Sequence, residues 1–228
     1  MSEKTIKSID ELLQMFVSTD EYRPKFMKPW RERNHVFASE THILIRANGY
    51  LTTVDYPQHN SDNTNKMFPT GIPNGILTAA TLENAISHAP LVDEYERTGK
   101  DVECEECDGT GEVIWDYKCW SKSFDCPVCD GTGYTETQMV KATGQKAINP
   151  DAAIQIGLIV FRAVFLKQIL DAMEYCGCKE VSVTFGSRTT ATRFNLTDEI
   201  DIILMPVNQD KPYTEIQLQS FPQKLKII

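Results

Sequence analysis

One eight-residue pattern occurs twice in this chain of 228 residues. The first copy is Cys104-Glu-Glu-Cys107-Asp-Gly109-Thr-Gly111 and the second is Cys126-Pro-Val-Cys129-Asp-Gly131-Thr-Gly133. Both read C-x-x-C-D-G-T-G, at an offset of 22 residues, and 18 residues separate Cys107 from Cys126. That separation fits two cysteine pairs on one metal ion. A two-residue gap lets both sulfurs of a pair reach one tetrahedral ion at about 2.3 Å. Glycine permits positive φ and lets backbone N–H groups turn toward thiolates. Coincidental turns or redox disulfides would not require all eight positions to recur. Cys104, Cys107, Cys126 and Cys129 are therefore the predicted ligands of one zinc ion. Four protein sulfurs leave no open coordination position, so the ion is expected to be structural. Residues 101 to 135 are expected to lose their fold without it.

The remaining cysteines are Cys119, Cys176 and Cys178, which makes seven in all. An odd count in a chain of this length argues against a secreted disulfide framework. Cys119 reads as a free thiol, and Cys176 with Cys178 as a helix end without a second metal. No apolar run approaches the roughly 20 residues that span a bilayer, and Met1 to Asp10 is polar. The expectation is a cytoplasmic protein with no membrane contact.

The formal charge of -9 is unevenly placed. Residues 101 to 140 hold ten acids and only Lys118 and Lys122 as bases, so that segment carries -8 and the other 188 residues carry -1. Such crowding repels a nucleic-acid backbone and points the segment toward a protein partner. Trp115, Tyr117, Trp120 and Phe124 lie between the two clusters. They read either as a partner-binding face or as the segment's own small core, and the sequence favours the core.

Outside the segment, Ser8 to Val17 reads as an amphipathic helix, with Ser8 as N-cap and Glu11 at capping-box spacing. Strands are expected at His35 to Ala38 and His42 to Arg46. Tyr50 to Val54 should pair back across an Asn48-Gly49 turn. Residues 57 to 76 read as a long loop, Thr81 to His88 as a short helix, and 141 to 152 as a linker. The apolar run Ile154 to Val160 reads as one buried strand. Arg162 to Tyr175 reads as a helix with Val164, Phe165, Leu166, Ile169, Leu170 and Met173 inward, stopped by Gly177. Strands follow at Glu180 to Phe185, Thr189 to Asn195 and Ile200 to Met205. The C-terminal tail receives no assignment. Helix-then-strands thus occurs twice, before residue 55 and after residue 160. The expected organisation is an α+β body of residues 1 to 100 and 141 to 228, interrupted by a two-hairpin zinc finger at 101 to 140.

The doubled cysteine pattern resembles the C-x-x-C-x-G-x-G zinc finger of DnaJ-type chaperones, over about 30 residues. In that family four repeats build two zinc centres; two repeats imply one. No His-Pro-Asp tripeptide is present, so the resemblance implies the metal site and not a co-chaperone activity. The body resembles bacterial DNA polymerase sliding clamps. The stretches are Tyr22-Arg23-Pro24 with Ala38-Ser39-Glu40-Thr41-His42-Ile43-Leu44, then Phe161-Arg162, Phe165-Leu166, Ile169-Leu170 and Ile203-Leu204-Met205-Pro206. This implies a domain of duplicated helix-and-strand units that holds duplex DNA through basic side chains. Clamp chains carry three such domains and this one has room for one, so assembly into an oligomer becomes a possibility. The implied DNA contacts are Arg23, Lys25, Lys28, Arg31, Arg33, Arg162 and Lys167. Asp10 and Glu11 make the first helix acidic, against the clamp pattern. No P-loop, Gly-x-Ser-x-Gly or His-Glu-x-x-His is present, so no enzyme is expected. The sequence favours a clamp-like protein of DNA replication or repair whose finger contacts a protein. The alternative is a zinc-dependent protein-binding or chaperone-like module that does not touch DNA.

Overall fold

The structure is a computed structural model, and it describes residues 8–20, 23–59, 63–97, 102–135, 140–209 and 211–221. The chain divides into two compact units, Met1–Pro90 with Ile148–Ile228, and Leu91–Ala147. The first stretch contains α1 (Ile9–Gln14), β1 (Trp30–Glu32), β2 (His35–Ser39), β3 (Ile43–Asn48), β4 (Gly75–Thr78) and α2 (Ala79–Ser87). The smaller unit contains β5 (Leu91–Arg97), β6 (Val102–Glu103), β7 (Glu112–Tyr117), β8 (Trp120–Asp125), β9 (Tyr134–Thr135) and β10 (Val140–Ile148). The chain then forms β11 (Ala153–Ile156), β12 (Ile159–Arg162), α3 (Ala163–Cys176), β13 (Glu180–Thr184), β14 (Thr192–Thr197), β15 (Ile200–Leu204) and β16 (Thr214–Ile216). The fold is α+β.

The larger unit is built on a seven-stranded sheet of order β1-β2-β3-β15-β14-β13-β4, with every neighbour antiparallel. A helix followed by three strands occurs twice in chain order, as α1 with β1–β3 and as α3 with β13–β15. The third strands of the two triplets meet at the centre, where Ile45 faces Ile202. The body is thus a duplicated helix-plus-strands fold. A second sheet has the order β12-β11-β16, with β11 parallel to β16.

Strand alternation explains the core. Val36, Ala38, Ile45, Ile202 and Leu204 join Leu12, Leu82, Leu166, Ile169 and Met173 of the helices in one cluster. Phe37, Leu44 and Ile203, at the intervening positions, join Trp30 and Phe68 in a second cluster. Coverage of both faces buries every residue of β15, Asp201 included. Burial alone would raise the Asp201 carboxyl. Hydrogen bonds from Asn195 (2.8 Å), Arg193 (2.7 Å) and Arg46 outweigh it and hold the group below its ordinary value. Both edges of the large sheet are bonded to other parts of the chain. Ile76 of β4 exchanges N–H···O bonds with Gln219 at 2.8 and 2.9 Å, and Arg31 of β1 bonds Pro57 and His59 at 2.9 and 2.8 Å.

Several elements differ from the sequence reading. Ser8 does cap α1, but its Oγ accepts from Asp10 N–H and donates to the Asp10 carboxylate, and Glu11 N–H bonds the Ser8 carbonyl. Asn48-Gly49 is no hairpin turn: Asn48 is extended, and residues 49–51 form a 3-10 turn. Gly49 is needed for close approach instead, since an added Cβ would lie 2.5 Å from the Arg31 guanidinium and 2.8 Å from the Asn34 carbonyl. The run at 154–160 is two antiparallel strands that turn at Gly157, φ +62°, and pair Ile156 with Ile159. The expected linker contains β10, which pairs with β5 and is tied by Lys146 to Asp93 at 2.6 Å. The loop from 57 to 76 holds a 3-10 turn at Asn65–Met67, the buried Phe68 and the start of β4. Thr78 caps α2, whose helix starts two residues earlier than expected. In the C-terminal tail, β16 lies beside β11.

The α3 assignment agrees to one residue. Gly177 adopts φ +68°, and Cys178 N–H reaches back to the Met173 carbonyl at 2.8 Å, which closes the helix end. Leu166, Ile169 and Met173 are buried, whereas Val164, Phe165 and Leu170 are only partly so.

Candidate metal centre

The two ribbons around the cysteines each join a strand flanking one cluster to a strand flanking the other. In β7–β8, the strand leaving the first cluster pairs with the strand entering the second. In β6–β9, the strand entering the first pairs with the strand leaving the second. The two clusters are thereby held face to face.

Within each cluster the same bonds recur at the 22-residue offset. Gly109 N–H bonds the Cys104 carbonyl at 3.2 Å, and Gly131 N–H bonds Cys126 at 3.2 Å. The Thr110 hydroxyl donates to the Cys107 carbonyl at 2.6 Å, and that of Thr132 to Cys129 at 2.7 Å. Gly111 N–H points at Cys107 Sγ at 3.3 Å, and Gly133 N–H at Cys129 Sγ at 3.2 Å. Such N–H···S bonds favour the thiolate and orient it. The threonines lie outside the predicted ligand set, although their recurrence in the repeated pattern is the signal that marks them.

The glycines do two jobs. Asp108, Gly109, Gly111, Asp130, Gly131 and Gly133 all have positive φ, so the chain reverses sharply around each sulfur pair. Gly111 and Gly133 also let the halves touch backbone to backbone. A Cβ on Gly111 would lie 2.3 Å from the Gly131 carbonyl oxygen, and one on Gly133 would lie 2.3 Å from that of Gly109.

All four cysteines are buried, and their sulfurs lie within 4.8 Å of one another. The Cys104–Cys126 and Cys107–Cys129 Sγ separations are 3.8 and 3.7 Å. A disulfide needs about 2.05 Å. The edge of a tetrahedron with metal–sulfur bonds of about 2.3 Å is about 3.8 Å. The geometry therefore fits a four-sulfur metal site, and all four thiols are free of disulfides. Burial pushes the Cys104 thiol up to about 11. At Cys129 burial acts in the same direction but is outweighed by the Gly133 N–H and the neighbouring sulfurs, and the thiol comes down to about 7.

The aromatic side chains between the clusters do not form a core. Trp115, Tyr117, Trp120 and Phe124 are all exposed, and among buried residues the four cysteines cluster by themselves, with Val113 beside them. A hairpin of two short strands has no second layer to cover it. Cys119 is exposed at the hairpin turn, outside the sulfur cluster. Burial raises the Cys176 thiol to about 12 and also raises that of Cys178, whose Sγ faces the Leu196 carbonyl at 3.3 Å.

The basic residues expected at DNA are scattered in their engagements. Arg23 bonds Asp20 at 3.3 Å and Thr41 Oγ1 at 2.8 Å. Arg31 donates to the Gly49 carbonyl at 3.4 Å, and Lys167 pairs with Asp171 one turn along α3. Lys25, Lys28 and Arg33 are exposed, and Arg162 precedes α3 as its N-cap residue. The three α-helices among the described residues carry Asp10, Glu11, Glu83, Asp171 and Glu174 against the single base Lys167. No helix among the described residues is long and apolar enough to cross a membrane.

No protein-family model matches the sequence, and no curated protein matches it. Among solved structures, the chain is similar to DNA polymerase sliding clamps and DNA polymerase III beta subunits. With the DNA polymerase III beta subunit of Thermotoga maritima the TM-score is 0.45 at 11% identity, covering 89% of this chain and 64% of the other. With the sliding clamp of Bacillus subtilis it is 0.44 at 13% identity, covering 88% and 62%. With the beta chain of Streptococcus pneumoniae it is 0.44 at 14% identity, covering 92% and 64%. This chain spans less than two thirds of the length of each of these clamp chains.

Proposed function

We propose that this chain is a non-enzymatic, clamp-like protein of DNA replication or repair whose smaller unit holds one structural zinc ion and serves protein interaction. The convergence of four buried sulfurs within 4.8 Å, two of their separations at the tetrahedral edge length, carries the metal part of the reading. Cys104, Cys107, Cys126 and Cys129 would hold the ion. A zinc ion would supply a fourfold cross-link and, with all positions filled by sulfur, no catalytic site. The rest belongs to the chain: the Gly111 and Gly133 N–H groups steady two of the sulfurs, and Thr110 and Thr132 tie each loop to its own carbonyls. An apparent ~10–16 kcal/mol of such binding is available to folding. A unit with hardly any apolar core besides its cysteines depends on that contribution.

The clamp part rests on the sequence stretches at 22–44 and 158–206 together with the paired helix-plus-three-strand units. Metal analysis of the purified chain should return one zinc per chain; two or none would overturn the site. Duplex DNA binding should weaken steeply as salt rises. A second reading, a zinc-dependent protein-binding module without DNA contact, is favoured by the acidic helices. Absence of salt-dependent duplex binding would select it.

A further inference from the structure

The hairpin β7–β8 has two chemically distinct faces, and apart from the partly buried Val113 every residue of its two strands is exposed. Cross-strand partners share a face. Its register therefore places Val113, Trp115 and Tyr117 on one side with Phe124, Lys122 and Trp120. The other side carries Glu112, Ile114 and Asp116 with Asp125, Ser123 and Ser121. Trp115 is 68% exposed and Trp120 77%. Two of the chain's three tryptophans are thus held in solvent. An indole can bury 150–250 Å² or so, and apolar exposure of this extent marks an interaction site. Trp115 and Tyr117 lie parallel, with ring centroids 6.5 Å apart. Their neighbours show what the rings accept: Lys118 Nζ sits 5.3 Å from the Tyr117 ring and Lys122 Nζ 5.0 Å from that of Phe124. Among the described residues β7 and β8 pair only with each other, so each keeps one edge of backbone donors and acceptors.

We propose that this hairpin is the docking site for an extended, positively charged segment of a partner protein, added as a third strand, in which apolar or aromatic residues alternate with Arg or Lys. The inference rests on the metal-bound unit proposed above. A strand laid on either edge sends successive side chains to opposite faces. One set meets the aromatic face and the other meets Glu112, Asp116 and Asp125. Charge selects this occupant: the segment from 101 to 140 carries -8. Its field repels a phosphate backbone and equally repels a second copy of itself, and it attracts a cationic strand.

The test uses the full chain with its metal and a labelled short peptide of alternating Arg and Val or Tyr, followed by fluorescence anisotropy. The comparators are a peptide of the same composition with the arginines gathered at one end, a Glu-for-Arg version and a single-stranded oligonucleotide. The alternating peptide should bind at least about tenfold more tightly than the block peptide. Trp115→Ser combined with Trp120→Ser should cost at least about tenfold, and Asp116→Asn should weaken binding and flatten its salt dependence. Equal binding of the block peptide would overturn the proposal. So would indifference to the tryptophan pair, tighter binding of the oligonucleotide, or self-association through this face. Zinc content measured on the same samples separates the two ideas. One zinc without peptide discrimination overturns the docking site alone. No zinc overturns the metal reading and, with it, the docking site that rests on it.

Discussion

Alanine at Gly111 and at Gly109 should separate two contributions that the metal loops combine. Both residues have nearly the same backbone, φ +78° and +76°. A side chain there costs about 1–2 kcal/mol of left-handed strain at either position. What differs is space. At Gly109 the atoms nearest the new Cβ belong to the Glu103 side chain, at 3.4 Å and beyond, which is ordinary contact with a flexible group. At Gly111 it would sit 2.3 Å from the Gly131 carbonyl oxygen. The halves must then part by roughly 1 Å to reach the ordinary spacing of about 3.5 Å between non-bonded heavy atoms. That opening pulls on the 3.3 Å bond from Gly111 N–H to Cys107 Sγ and on the Cys126 N–H to Gly111 carbonyl bond at 2.8 Å. Strain alone predicts a loss of about tenfold in zinc affinity for Gly109→Ala, at about 1.4 kcal/mol per decade. Gly111→Ala adds the loss of one hydrogen bond to charged sulfur, at about 1.5–3 kcal/mol, and of one neutral backbone bond, at about 0.5–1.5 kcal/mol, and should lose at least a further tenfold. Competition against a chromophoric chelator reads both values on the folded chain. Equal losses would refute the backbone-contact argument. A Gly111→Ala variant with undiminished affinity would refute the arrangement of the two halves.

Four further outcomes are expected. Cys104→Ser should abolish stoichiometric zinc binding and remove amide-exchange protection from residues 102–135, while β3, β14 and β15 of the body keep theirs; exchange mass spectrometry reads both. Asp201→Ala should destabilise the body by about 3–5 kcal/mol in denaturant titration, because Arg46 and Arg193 would be left facing a buried void. The Asp201 carboxyl is lowered by folding, so its contribution is fully present above the unfolded carboxylate value. It disappears as pH falls through the lower folded value, and wild-type stability should drop below about pH 4 more steeply than that of Asp201→Asn. Leu166→Ala should cost about 2–5 kcal/mol from a fully buried helix position, with zinc stoichiometry unchanged.

The four-cysteine cluster was legible because its determinants are local. Two cysteines three positions apart and the glycines behind them specify a loop whatever surrounds it, and repetition supplies the partner loop. The body's second helix-and-strand triplet was legible for a similar reason: α3 carries a clear helical period and ends at Gly177. Residues 154–160 misled because burial on both sides erases the period of two, so a hairpin and a single strand look alike. Gly157 was the one mark of the turn. Gly49 misled in the opposite way, since its role depends on Arg31 and Asn34, which are remote in sequence but close in space. Strand β10 reads as a linker because Lys141, Thr143 and Gln145 fill one face while Gly144 and Lys146 interrupt the apolar pattern of the other, and polar bonds to β5 accompany its pairing. The exposure of Trp115 and Trp120 is invisible in composition, because aromatic residues signal burial wherever a second layer exists. Among the described residues none covers the hairpin.

The bonds of Gln219 to Ile76, and of Pro57 and His59 to Arg31, have a consequence for growth of the large sheet. An open strand edge is a template that any extended chain can copy. On this sheet both templates are already taken by segments of the same polypeptide, so a second molecule would have to strip two intramolecular bonds at either end before it gained any of its own. Polymerisation by strand exchange is thereby penalised at its first step. Any higher-order assembly through the large sheet should proceed through side chains, and leave its backbone ladder intact.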